Sequence, residues 1–169
     1  MPTVAPTTSL AFPQGPVKYH EPFELSVTLD NESANGSGEV GYGPFVDLLI
    51  PPTVESVPDA AQYLGLSLNP VQTYTWDATL GEWSGAPEVH PLSRNNDPTA
   101  SNAILPPDGS GLADGTEWRV YQLPFGSFTP EQPQATLTFS GAELDSTTAD
   151  LSVRGGISLG ILRPVPMVL

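Results

Sequence analysis

The sequence contains no cysteine, so neither disulfides nor thiolate metal centres hold this fold, and the redox compartment is left open. Basic residues are also scarce. Five Lys and Arg stand against nineteen Asp and Glu, a net charge of −14. Nucleic acid and anionic membrane surfaces repel such a chain, so neither is expected as a partner, and cations are its natural company. No apolar run reaches the length of a membrane span, and no basic segment followed by an apolar one opens the sequence. Membrane insertion and a signal peptide are therefore not expected in this stretch. Segments free of glycine and proline are short: with sixteen glycines and twenty prolines, the longest are 23–35 and 142–154. Both residues penalise helix interiors, so helices of three turns have little room. An all-β chain is what remains.

What is present agrees with that. From Phe23 to Asp30, the apolar Phe23, Leu25, Val27 and Leu29 alternate with Glu24, Ser26, Thr28 and Asp30, which predicts a strand with one buried face. Phe45 to Ile50 is apolar apart from Asp47, as expected of a strand covered on both faces. The glycine-rich segment from Asn31 to Gly43 links the two as a loop.

Residues 1–16, proline-rich, read as an extended lead-in or an edge strand, and 17–169 as a single β-sandwich domain. Asp59 to Leu64 is expected to make one helical turn before Gly65. Tyr74 to Trp83 reads as a hairpin turning near Gly81. The segment from Pro87 to Gly115 is rich in Asn, Asp, Pro and Gly and reads as a long surface excursion. Further strands are predicted over Glu117–Leu123, Gln134–Ser140, Leu151–Arg154 and Ile157–Leu162, with Ala142–Ala149 a helical turn or a loop. Seven or eight strands between turn signals predict an immunoglobulin-like two-sheet β-sandwich with long loops and little helix. Val27, Leu29, Val46, Leu48, Trp118 and Phe139 are its expected core.

Motifs of catalysis fail on context. The segment Gly36-Ser37-Gly38-Glu39-Val40-Gly41 has dinucleotide-fingerprint spacing, but Gly43-Pro44 and a β-type run follow where a helix is needed. Gly156-Ile157-Ser158-Leu159-Gly160 matches a nucleophile elbow by letter, yet prolines follow and both histidines precede the serine. His20 and His90 lack metal-ligand spacing and read as surface or half-buried polar residues. No spacing singles out a carboxylate pair for glycoside hydrolysis. The expectation is therefore a chain that is not an enzyme.

Hard cations suit the loops better, since calcium takes oxygens from carboxylates, amides and carbonyls. Three separate places qualify, Asp30-Asn31-Glu32 with the loop after it, Asn95-Asn96-Asp97, and Asp108 to Glu117, with Asp30, Asn31, Glu32, Asp97, Asp108 and Asp114 as candidate ligands. Asx turns and solvated charge are the alternative, and calcium is the one cofactor considered. Asp47, a carboxylate in an apolar strand, needs a partner if buried, and Arg119 or Arg154 could provide it. Tyr74, Trp76 and Trp83 are candidates for a sugar-stacking platform, with cross-strand packing as the alternative.

The segments FELSVTLDN (Phe23 to Asn31) and GYGPFVDLLIP (Gly41 to Pro51) resemble the conserved-repeat, immunoglobulin-like modules of large bacterial surface proteins. LPFGSFTP (Leu123 to Pro130) and Arg154-Gly155-Gly156 are similar to segments of modules in giant repetitive adhesins. The resemblance implies a non-catalytic extracellular spacer or scaffold near an adhesin's ligand-binding region, secreted or on the cell surface. Its partners would be neighbouring modules of the same protein and a surface glycan or protein ligand. The alternative is a carbohydrate-binding module using the exposed aromatics. Some surface modules of this type carry an isopeptide bond from a buried lysine, for which Lys18 is the available donor.

Overall fold

The computed structural model describes residues 5–13, 17–144, 152–156 and 165–168. Among these the chain is all β, with no helix. The first strands are β1 (Pro6–Ala11), β2 (Phe23–Asn31), β3 (Gly41–Tyr42), β4 (Phe45–Ile50) and β5 (Val54–Ser56). They are followed by β6 (Ala61–Tyr63), β7 (Leu66–Leu68), β8 (Gln72–Asp77), β9 (Glu82–Trp83) and β10 (Glu117–Gln122). The last are β11 (Ser127–Phe128), β12 (Ala135–Leu144), β13 (Ser152–Gly156) and β14 (Val165–Val168).

One sheet runs β1-β2-β12-β6-β7, with β5 also paired to β12, and the other runs β14-β13-β4-β10-β8-β9. A short β3–β11 pair lies apart from both. Alternation decides which side chains meet between the sheets. Leu25, Val27, Leu29, Leu137 and Phe139 from the first sheet and Val46, Leu48, Ile50 and Tyr121 from the second form one buried cluster. Each such side chain contributes about 1.5–3 kcal/mol by leaving water. This is the predicted two-layer sandwich, and the six expected core residues are all buried.

The second sheet is covered on its outer face too. All six residues of β4 are buried, and Leu49, Trp76, Trp83, Trp118 and Val120 make a second apolar cluster. What covers them is the irregular segment 84–116, whose Val89, His90 and Ile104 are buried. The expected surface excursion is thus a third layer.

Asp59 to Leu64 is not helical. The segment enters a hairpin in which Tyr63 of β6 pairs with Leu66 of β7. Leu64 and Gly65 between them have φ of 47° and 79°, the left-handed pair that a two-residue hairpin turn demands. β12 continues to Leu144 past a register shift near Gly141, where a helical turn or loop was the expectation. Residues 145–149, Ile157–Leu162 and Ser158 lie outside the described residues. The glycine-rich segment 36–41 leads into strands β3 and β4, with no helix for a nucleotide phosphate.

Candidate functional site

Asp47 sits in the middle of β4, opposite Val120 of β10 on one side and Arg154 of β13 on the other. Period two turns it away from the inter-sheet core, toward the loop layer. There it is fully buried, so each carboxylate oxygen needs a donor. Oδ1 accepts from the His90 ring at 2.9 Å and from the Trp118 indole N–H at 2.9 Å. Oδ2 accepts from Arg154, with Nε and Nη2 each at 2.8 Å, a two-pronged guanidinium pair. Of the two arginines considered, Arg154 is the partner. Arg119 instead pairs with Glu117 and Asp59 and donates to the carbonyls of Val57 and Pro58.

His90 is a correction. It is 1% exposed, where a surface or half-buried residue was expected. The Leu92 N–H donates to His90 Nδ1 at 3.1 Å. A backbone N–H cannot accept, so Nδ1 is the acceptor and the ring proton sits on Nε2, aimed at Asp47. Burial alone pushes the Asp47 carboxyl up. The His90 hydrogen bond and the Arg154 charge more than offset this and hold it below its ordinary value. The ring also packs on Phe45 and Trp118, with centroids 4.4 and 5.5 Å away.

This centre is closed, so its chemistry is cohesion between layers. Arg154 spans from Asp47 to the Leu105 carbonyl, which Nη2 meets at 2.8 Å. The His90 amide donates to the Ile104 carbonyl at 2.7 Å, and the Trp83 indole to the Pro107 carbonyl at 2.8 Å. Gly109 lies flat against Trp76, whose ring carbons are 2.2–2.4 Å from where a Cβ would stand. A segment without regular structure is thereby tied to three strands at successive points.

The six calcium candidates are not brought together. Asp30 accepts from the Asn31 amide and from Gln134, and buried Asn31 donates to the carbonyls of Glu39 and Phe128, fastening the β2–β3 loop. Glu32 follows on that loop, its amide on the Ala5 carbonyl. Asp97 and Asp108 close Asx turns on Thr99 and Ser110, and Asp114 accepts from the Ala78 amide. Among the described residues, no group of three or more His, Asp or Glu side chains is placed to hold a metal.

The stacking platform also needs correction. Trp76 and Trp83 do face one another across the predicted hairpin, but they are 8% and 6% exposed, and Tyr74 packs on Trp118 at 4.8 Å. The loop layer consumes the faces that a sugar would need. Lys18 is exposed and pairs with Glu21 at 3.3 Å, so the buried lysine that an isopeptide bond requires is not found there. Sequence reasoning missed His90, Trp118 and the carbonyls of the layer as partners of this centre. The apolar Val89 beside His90 and Ile104 downstream were the available signal.

No family model matches the chain, and no curated protein does. Among solved structures, the chain is similar to one titled "AvmM Catalyzes Macrocyclization in Alchivemycin A Biosynthesis". The two share 16% identity with a TM-score of 0.38, over 96% of this chain and 88% of the other. The aligned protein is a catalyst by its title, and the expectation that this chain is not an enzyme is therefore withdrawn. At that TM-score the likeness carries no argument about which activity, or which residues, this chain would use.

Proposed function

We propose that the chain is a structural and interaction module of a large extracellular bacterial surface protein, with the layer 84–116 as the face it presents. The observation that carries the reading is the closed centre of Asp47, His90, Trp118 and Arg154, which ties an irregular and chemically varied loop surface to a sandwich. A surface held in one shape binds without the entropic cost of ordering it, which is what recognition by loops on a β scaffold requires. The acidity of the chain and the resemblance of 23–31 and 41–51 to surface-protein modules support the setting. Its partners would be neighbouring modules and a glycan or protein at a cell surface.

The test is binding of the labelled chain to immobilised glycans and cell-surface proteins, compared with two charge-adding variants. Ser101→Glu alters an exposed position of the layer, and Thr136→Glu an exposed position on the opposite sheet. Binding that falls only in Ser101→Glu is the expected result. Absence of binding in every case, or equal loss in both variants, contradicts the reading.

A further inference from the structure

Four of the five Lys and Arg lie among the described residues. Lys18 pairs with Glu21, Arg119 with Glu117 and Asp59, and Arg154 with Asp47. Arg94 is different: it is exposed, and among the described residues no carboxylate lies within ion-pair distance of it. In a chain of net charge −14, this guanidinium is the described cation left to meet an anion from outside.

Its position is not that of a free surface side chain. The guanidinium carbon lies 5.8 Å from the centre of the Tyr42 ring, a cation–π arrangement that restricts its rotamers. Arg94 also lines a groove of about 440 Å³, within the size range of small-molecule sites. Val71, Pro124 and Phe125 give that groove an apolar side, Gln122 adds an amide, and Leu123 has its side chain in the core. Val71 is 45% exposed, so its side chain is open to a ligand in the groove. The groove joins three connections of the fold: the β3–β4 turn at Gly43, the approach to β8 at Val71, and the β10–β11 link at 123–126.

We propose that this groove binds a small organic carboxylate, its carboxylate paired with the Arg94 guanidinium and its apolar body against Val71, Pro124 and Phe125. The Arg94 guanidinium, held beside Tyr42, carries parallel N–H donors that match a carboxylate's two oxygens. The apolar wall selects against small inorganic anions, which gain nothing from it. The assignment stands on the groove alone and is independent of any role at a cell surface.

The test uses the intact chain, labelled with ¹⁵N, and three probes: 4-phenylbutyrate, its neutral amide 4-phenylbutyramide, and inorganic phosphate. The expected result is saturable shifts from 4-phenylbutyrate at the amides of residues 43, 71, 94, 122, 123, 125 and 126. Arg94→Gln, at an exposed position, should keep the spectrum of the fold and weaken binding at least about tenfold, the loss expected when a charged hydrogen-bonded partner is removed. The amide should be weaker by a similar factor, and phosphate should leave the groove unshifted. Absence of saturable shifts, equal binding of acid and amide, unchanged affinity in Arg94→Gln, or equal shifts with phosphate would each overturn the proposal.

Discussion

Asp47 concentrates the energetics of the molecule in one side chain. A carboxylate removed from water costs several kcal/mol unless it is paired and hydrogen-bonded, and here His90, Trp118 and Arg154 supply its donors. Removing the acid leaves the Arg154 guanidinium buried without its counter-charge. Asp47→Ala is therefore expected to destabilise the fold by about 3–5 kcal/mol, read as a lowered urea midpoint. An unchanged midpoint would mean that Asp47 is solvated. The need for a partner was legible in the sequence, because one acid interrupts an apolar strand. The histidine was not. A lone His in a segment without periodicity gives no hint of which face it meets, and the Trp118 indole read only as core.

At the scale of elements, the strands were the legible part. β2 alternates strictly, β4 is apolar throughout save Asp47, and both occupy the expected residues to within one position. The β6–β7 hairpin was misread because its turn is Leu64-Gly65, and an ordinary leucine at φ 47° is not a turn signal. The loop layer was hidden for another reason: its main-chain carbonyls serve as acceptors, and sequence patterns report side chains. Gly109 shows how closely the layer packs. Gly109→Ala would place a methyl within the Trp76 ring, so the layer must lift or the ring must turn. The expected cost is about 1–3 kcal/mol of stability, with a shifted tryptophan emission spectrum. Wild-type stability in this variant would show that the contact is loose.

For the whole molecule, acidity sets how stability depends on pH. Asp97 and Asp108 are held below the usual carboxylate value by the Thr99 and Ser110 hydroxyls and then by the same residues' amides. Glu131 is lowered first by the Gly36 amide, and Asp47 is lowered as described. A carboxyl with a depressed folded-state pKa stabilises fully above its unfolded value and loses that contribution as pH falls through the folded one. The melting temperature should thus decline as pH falls below about 4, and less steeply in Asp47→Asn. A melting temperature that rises on acidification would reverse the sign.

The β-sandwich itself follows from alternation and punctuation. Its third layer follows from one buried acid and the partners that reach it. The most direct measurement of that account is amide hydrogen exchange, resolved by residue, at the amides of His90, Ile104 and Leu112. These donate to Ile104 O, Ser93 Oγ and Gly109 O. The account predicts protection of His90 and Ile104 close to that of β4 and β10, lost in Asp47→Ala before the strands open. Exchange of both at the rate of an unstructured loop, with β4 and β10 still protected in the wild type, would contradict it.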